Sequence, residues 1–481
     1  MTRTAQSLRG ALSLGGAGAI DYVLQFLLPI LLVRSLDTTE FGHYRVLWLV
    51  TNTVMAFAPF YMPQSLFYFL PRAGEKAGSY VANVLWFLVV VGGLAVLVLG
   101  PWGLRRPEVV AGLPGGQTLV PAFIALWIVG TLIEWLANAQ GRVHAQARLI
   151  VSFSVLRVAL VGGTAVLTQD LWAVFVVMAV YAGLRVAWVV WAIVREYGLA
   201  GVQPSWALSW PQWRYAAPFG LAGATYNLRQ QSDQWIAAAL FKLEQFAVFS
   251  VSAVVLPLAG LVRQAVANAV LPAMNARHHG GDLHGAVHIN REANALTALL
   301  LFPALAYLFA FAEPVLTLIY TASFADAAWP MRVYLLGLLG QALVVNNLLT
   351  MLAQGGFQLR LNGAFLPVAV LLSLLGAWKF GLAGAALGSA VTQWASHLLS
   401  VRHVRRLTAL PLPQLIDLRA LAVFASVAAA AALGAWGAAW AWLPSHAAAQ
   451  ALGGGVLFAL LFGAMVWPTA ACGRVRASLR R

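Results

Sequence analysis

Apolar residues along this chain come in blocks of roughly 17 to 25, the length at which a helix crosses the hydrocarbon core of a bilayer. The blocks contain Gly and Pro but no strand-like alternation, so helices rather than a barrel satisfy the backbone in lipid. The blocks predict fourteen helices, at 11–33, 44–69, 79–101, 118–139, 149–167, 171–194, 215–240, 246–270, 293–312, 330–353, 361–378, 382–401, 418–442 and 448–468. The longest connections, around 195–214 and 271–292, are too small to fold as catalytic domains. The expected fold is an all-α integral membrane protein with about 14 transmembrane helices, and no enzyme.

Charge orients these helices. Of the 481 residues, 61% are hydrophobic and only 9% charged, with a net charge of +15. The basic residues sit in short segments between apolar blocks, as cytoplasmic loops require, so no nucleic-acid partner is expected. With the N-terminus inside, 19 of the 30 basic residues face the cytoplasm. Six face outward (Arg34, Arg45, Arg105, Arg106, Lys242 and Lys379), and five lie within helices. Both termini are therefore expected in the cytoplasm, and the chain in the cell inner (plasma) membrane. Arg3 and Arg9 before an apolar run mimic a signal peptide. The run contains Asp21, continues to Val33 and lacks a convincing small-residue cleavage site, so it is expected to stay as the first helix. A single cysteine, Cys472, excludes an intramolecular disulfide and a thiolate metal cluster. The Arg-rich segments 402–406 and 474–481 suit anionic headgroups of the surrounding membrane lipids.

The chain also repeats itself. GGAGAIDYVLQ, Gly15–Gln25, aligns without gaps to GLAGATYNLRQ, Gly220–Gln230, 205 residues on. At the same offset EFGHY (Glu40–Tyr44) meets QFAVF (Gln245–Phe249). Six predicted helices separate the copies, so both start in the same direction. This predicts a parallel duplication: two pseudo-symmetric six-helix lobes, 1–201 and 202–408, followed by two extra helices and a basic tail, 409–481.

The stretch LLVRSLDTTEFGHYRVLWLV, Leu31–Val50, resembles the end of helix 1 and the start of helix 2 in polysaccharide-biosynthesis flippases. LRQQSDQWIAAALFKLEQFAVFSVSAVVLPL, Leu228–Leu258, resembles the start of their second lobe. PVLTLIYTASFADAAWPMRVYLLGL and FGLAGAALGSAV resemble their later helices, and the matches spread over most of residues 8–401. The family sits in the larger group that also holds multidrug and toxin extruders and lipid II flippases. The resemblance implies a central cavity opening alternately to each side. It implies that an oligosaccharide repeat unit (O-antigen, capsule or exopolysaccharide) on a polyprenyl diphosphate is moved outward, where a polymerase or ligase takes it. A monomer is the expected unit.

Ionisable residues inside apolar spans cost several kcal/mol unless they face protein or water, so each is a functional candidate. In the seventh predicted helix Tyr226, Arg229, Gln230 and Asp233 share one face. Arg229 suits the diphosphate of a lipid carrier through its planar guanidinium, or pairs with Asp233 as a structural ion pair. Asp21 and Gln25 share a face of the first helix; Asp21 is a proton or sodium coupling candidate, as is Asp233, or else a hydrogen-bonding anchor between helices. Arg157, Arg185 and Arg263 are further candidates for an anionic headgroup, and Glu134 is a further cavity acid. The plain alternative is that Arg185 or Arg263 snorkels, or pairs with Glu134 or Asp233. No cofactor is expected; a proton or sodium gradient is the coupling that the intramembrane acids would allow.

Other features carry less. The stretch His278–His288 has four histidines, but no zincin Glu follows a His and the segment is Gly-rich, so a solvated loop is expected and no metal. Trp206, Trp210 and Trp213 suit interfacial anchors better than sugar platforms. Pro59, Pro63, Pro257 and Pro303 are candidate kinks. An ion-coupled multidrug or small-molecule exporter of the same broad fold is the competing function. A membrane glycosyltransferase needs paired exterior carboxylates, and Asp37, Glu40, Glu313 and Asp326 lack that spacing.

Overall fold

A computed structural model of the chain describes residues 3–100, 112–343 and 345–479. The outward-facing candidates Arg105 and Arg106 lie outside them. Every regular element among the described residues is helical. In chain order the main helices are α1 (Arg3–Ser35), α2 (Thr38–Phe57), α3 (Met62–Phe69), α4 (Ala77–Leu99), α5 (Leu119–Gly130), α6 (Val143–Arg157), α7 (Gly163–Thr168), α8 (Leu171–Gly201) and α9 (Trp206–Leu240). There follow α10 (Leu243–Ser252), α11 (Leu256–His279), α12 (Leu283–Ala310), α13 (Ala312–Tyr320), α14 (Ala328–Leu338), α15 (Gly355–Ala385), α16 (Leu387–Thr408), α17 (Leu418–Trp442) and α18 (Gly454–Val466).

Among the described residues ten helices are long and apolar enough to cross a membrane, or eleven if one bent pair is a single span. The chain is a multi-pass membrane protein, and four of the fourteen predicted spans differ for physical reasons. The span at 44–69 bends by 41° between α2 and α3. Pro59 is followed there by Phe60 and Tyr61 at φ 44° and 64°, which interrupts the helical ladder. The span at 330–353 breaks after α14 into a 3₁₀ turn, Leu339–Leu343, and a short helix, Asn346–Met351. The span at 215–240 lies in one continuous helix, α9, and the span at 382–401 runs from the last turn of α15 into α16; α9 and α16 are too polar. In α16, Ser389, Thr392, Gln393, Ser396, His397 and Ser400 are all buried. Such helices suit a membrane where protein covers their polar side chains.

The chain divides into two compact units, 1–228 and 229–481, with the division inside α9. In the first, α1 packs along α6, and α5 lies between α4 and α8. Gly162 lets α1 close in, since a Cβ there would stand 2.9 Å from Leu31 Cδ1. In the second unit α12 packs on α11 and on α17, the first of the extra C-terminal helices, around Ala298, Phe302, Phe424 and Ala428.

Helix boundaries recur at the offset of the sequence repeat. α1 ends at Ser35 and α9 at Leu240; α2 starts at Thr38 and α10 at Leu243. The conserved chemistry is a helix cap. Asp37 accepts from Glu40 N at 2.7 Å while Asp37 N donates to Glu40 Oε2 at 3.1 Å, a capping box. In the second copy Lys242 N donates to Gln245 Oε1 at 3.2 Å, half of that box.

The histidine stretch is not a loop. It is the end of α11, a turn at Gly280 and Gly281, and the start of α12, with Asp282 capping the new helix. Of the candidate kinks, Pro63 and Pro257 sit in the first turns of α3 and α11, where proline is tolerated, and Pro303 lies inside α12.

Candidate functional site

Five of the sequence candidates line one cavity of about 380 Å³ in the first unit: Asp21, Gln25, Glu134, Arg157 and Arg185. Three local irregularities bring them there. α5 ends at Gly130, and a 3₁₀ turn, Thr131–Glu134, replaces the continuous helix predicted over 118–139. Buried Gln146 stitches this break, donating to Ile133 O at 3.0 Å and accepting from Asn138 N at 3.2 Å. Glu134 is thereby held at the cavity edge. Gly130 makes room for Arg185, whose Cβ would stand 3.1 Å from a Cβ at that glycine. Arg157 closes α6 immediately before a π-helical turn, Val158–Gly162.

The charges are partly paired. Arg185, 3% exposed in its side chain, donates through Nη2 to Glu134 Oε1 at 2.6 Å, and Glu134 stays 50% exposed. Its guanidinium also lies 4.2 Å from the centroid of Trp127, a cation–π contact. Asp21 accepts from the Ser154 hydroxyl on Oδ1 and from Gln25 Nε2 on Oδ2, the latter at 2.7 Å. Two buried N–H groups, Arg157 Nε and Arg185 Nη1, have no hydrogen-bond partner among the described residues. A buried donor without an acceptor is costly, so an acceptor supplied from outside the chain is favoured here.

The α9 candidates go elsewhere. Tyr226 is exposed and is not among the residues that line the cavity. In the second unit Asp233 has no exposed surface. Tyr334 and Ser389 both donate to its Oδ2, each at 2.6 Å. Arg229, buried, donates to Ser396 Oγ at 3.3 Å, and Gln230 is half-buried. Arg229 and Arg263 both act electrostatically on His397, whose buried Nε2 has no partner among the described residues. No group of three or more metal-ligating side chains occurs among the described residues.

The residues missed from sequence are Ser154, Tyr181 and Trp127 in the first unit and Tyr334, Ser389 and His397 in the second. A hydroxyl in an apolar span was the available signal, but serine and threonine return their hydroxyls to the preceding turn so often that the type alone selects nothing. Thr51, for example, donates to Leu47 O at 2.7 Å.

The family model described as polysaccharide biosynthesis protein matches residues 7–277. A comparison with curated proteins gives no match. Solved structures do match. The lipid II flippase MurJ in an inward closed conformation aligns with a TM-score of 0.70 at 12% identity, over 94% of this chain and 98% of that one. A multidrug resistance MATE family transporter of the MOP superfamily, inward-facing, aligns with a TM-score of 0.62 at 14% identity, over 81% and 95%. A MOP superfamily transporter from Pyrococcus furiosus, described as having a binding pocket of reverse polarity, aligns with a TM-score of 0.57 at 13% identity, over 83% and 96%. At these identities the likeness establishes the fold.

Proposed function

This chain belongs to the polysaccharide biosynthesis protein family, and we propose that it is an alternating-access flippase for a polyprenyl-diphosphate-linked oligosaccharide. It carries the unit from the cytoplasmic to the outer leaflet of the inner membrane, where a polymerase or ligase consumes it. The observation that carries this reading is the pair of buried, unpartnered N–H groups on Arg157 and Arg185 in one cavity. A diphosphate offers the anionic, many-oxygened acceptor that two planar guanidiniums favour, and charge-assisted bonds are about twice as strong as neutral ones. Glu134 neutralises Arg185 when the cavity is empty and competes with the incoming anion, which keeps binding reversible. Asp21, half-buried beside it, is the coupling acid.

An ion-coupled exporter of the same superfamily is the second reading. It is favoured by the presence of two carboxylates, Asp21 and Glu134, in that cavity.

The test is headgroup translocation in proteoliposomes, comparing wild type with Arg157→Ala. Loss of one charge-assisted contact predicts transfer roughly tenfold or more slower, with an unchanged melting temperature. Equal transfer by both proteins removes Arg157 from the site and leaves the flippase standing. No transfer by folded wild type, supplied with ion gradients and several glycans, moves the assignment to the exporter.

A further inference from the structure

A second concavity of the first unit, about 440 Å³, lies where the turn after α5 meets the far end of α8. It shares one wall residue, Leu149, with the cavity that holds Arg157 and Arg185. Its chemistry is different. Trp188 and Trp191 form a tilted pair, centroids 6.4 Å apart at 51°, and Trp188 rests edge-on against Phe153 at 6.2 Å. Trp191 remains 53% exposed, with the Arg195 guanidinium 5.0 Å from its ring centroid. Around the indoles stand planar polar groups. Arg142 and Glu196 form an ion pair at 2.5 Å, and Gln140 Nε2 donates to the Tyr197 hydroxyl at 2.9 Å.

Other occupants fit less well. A lipid tail has no use for the Arg142–Glu196 pair, which it would have to desolvate. A phosphate would meet the Glu196 carboxylate. An interfacial anchor needs no concavity: Trp206, 83% exposed, stands on the surface. A pyranose matches what is present, because its C–H face packs on an indole while its hydroxyl edge both donates and accepts. Amide, guanidinium and carboxylate groups supply the complementary donors and acceptors, and Arg142 and Glu196 retain capacity beyond the single bond between them.

We propose that this pocket binds a sugar residue of the lipid-linked glycan, at the end of the first unit that the positive charges assign to the cytoplasm. The proposal rests on the flippase reading and deepens it: the diphosphate sits in the arginine cavity and the glycan docks across Leu149 from it.

The test is saturation-transfer NMR on the full chain in nanodiscs. The probe is the oligosaccharide pool released by mild acid from the lipid-linked material that accumulates in the source cells when this chain is deleted. Wild type is expected to pass magnetisation to the sugar C–H protons. Trp191→Ala and Gln140→Ala are expected to weaken binding roughly threefold to tenfold. Trp191→Phe, which keeps a ring, should retain most of it, and Trp378→Ala in the second unit should retain all of it. No transfer to wild type, or equal transfer to a folded Trp191→Ala, overturns the proposal. A parallel arm measures translocation of the intact lipid-linked pool by wild type. Its failure beside a positive NMR result sinks the flippase reading alone, and its success beside a negative one sinks the sugar pocket alone.

Discussion

Asp21 in the first unit is half-buried at a cavity wall, with Ser154 on one oxygen and Gln25 on the other. Asp233 in the second unit has no exposed surface, and two hydroxyls from separate helices converge on one of its oxygens. The repeat offset sets Tyr226 opposite Asp21 and Leu28 opposite Asp233, so the two acids are not counterparts. Each copy of the repeated helix carries its carboxylate at a different turn. An acid beside a cavity exchanges partners and charge at modest cost, whereas a fully enclosed acid strands its donors when removed. The contrast teaches that acids in a membrane span divide by what surrounds them. On the proposed function Asp21 is the acid that couples and Asp233 the acid that holds three helices together.

The largest effect is expected at the enclosed site. Asp233→Ala leaves the Tyr334 and Ser389 hydroxyls without their acceptor, and two intramembrane hydrogen bonds with a small void amount to roughly 2 kcal/mol. The melting temperature in detergent should fall by several degrees, and Asp233→Asn, which keeps one carbonyl oxygen, should recover about half. An Asp233→Ala protein that melts like wild type would erase the contrast from the second unit's side. Next comes Asp21→Asn. The amide keeps an acceptor for Ser154, so stability should move by no more than about 0.5 kcal/mol. Translocation should lose its response to an imposed proton or sodium gradient. If the gradient response survives Asp21→Asn, the coupling role passes to another acid, with Glu134 the next to test.

Sequence pattern located ten of the fourteen expected spans as long apolar helices, and the Glu40 and Gln245 matches of the repeat are cap residues. What it missed follows from physics that is not periodic. Apolar content read 44–69 and 330–353 as single spans because breaks cost a few backbone hydrogen bonds, and hydropathy averages over them. The polarity of α16 became intelligible only once its side chains were seen to be buried. Arg157 and Arg185 could be named as candidates by their expense in lipid, yet that they share a cavity with Asp21 depends on the Gly130 and Gln146 contacts between distant segments. The pairing of Arg185 with Glu134, one of several alternatives that the sequence leaves open, needed the 3₁₀ turn that carries Glu134. The Tyr334 and Ser389 knot had no local signal at all, because a hydroxyl in an apolar span usually bonds its own helix.

A third carboxylate, outside the membrane-spanning segments, gives the comparison a ruler in water. Asp282 caps α12, accepting from Gly285 N at 2.7 Å, and its other oxygen lies 2.9 Å from Arg277 Nη1. The Gly285 amide first, and the Arg277 side chain after it, hold its carboxyl below the ordinary value of 3.8. Folding therefore lowers this group's pKa, and the stabilisation it gives is present above the unfolded value and fades as pH falls through the folded one. The difference in melting temperature between wild type and Asp282→Ala should be complete at pH 7 and should shrink only in acid, below the ordinary carboxylate value. It should also be the smallest of the three effects, because the group is exposed and screened by salt. A difference that stays constant from neutral pH into acid would mean that the cap acts through geometry rather than charge. The loss at Asp233 would then have to be read as lost hydrogen-bond geometry too, and the contrast with Asp21 would rest on gradient coupling alone.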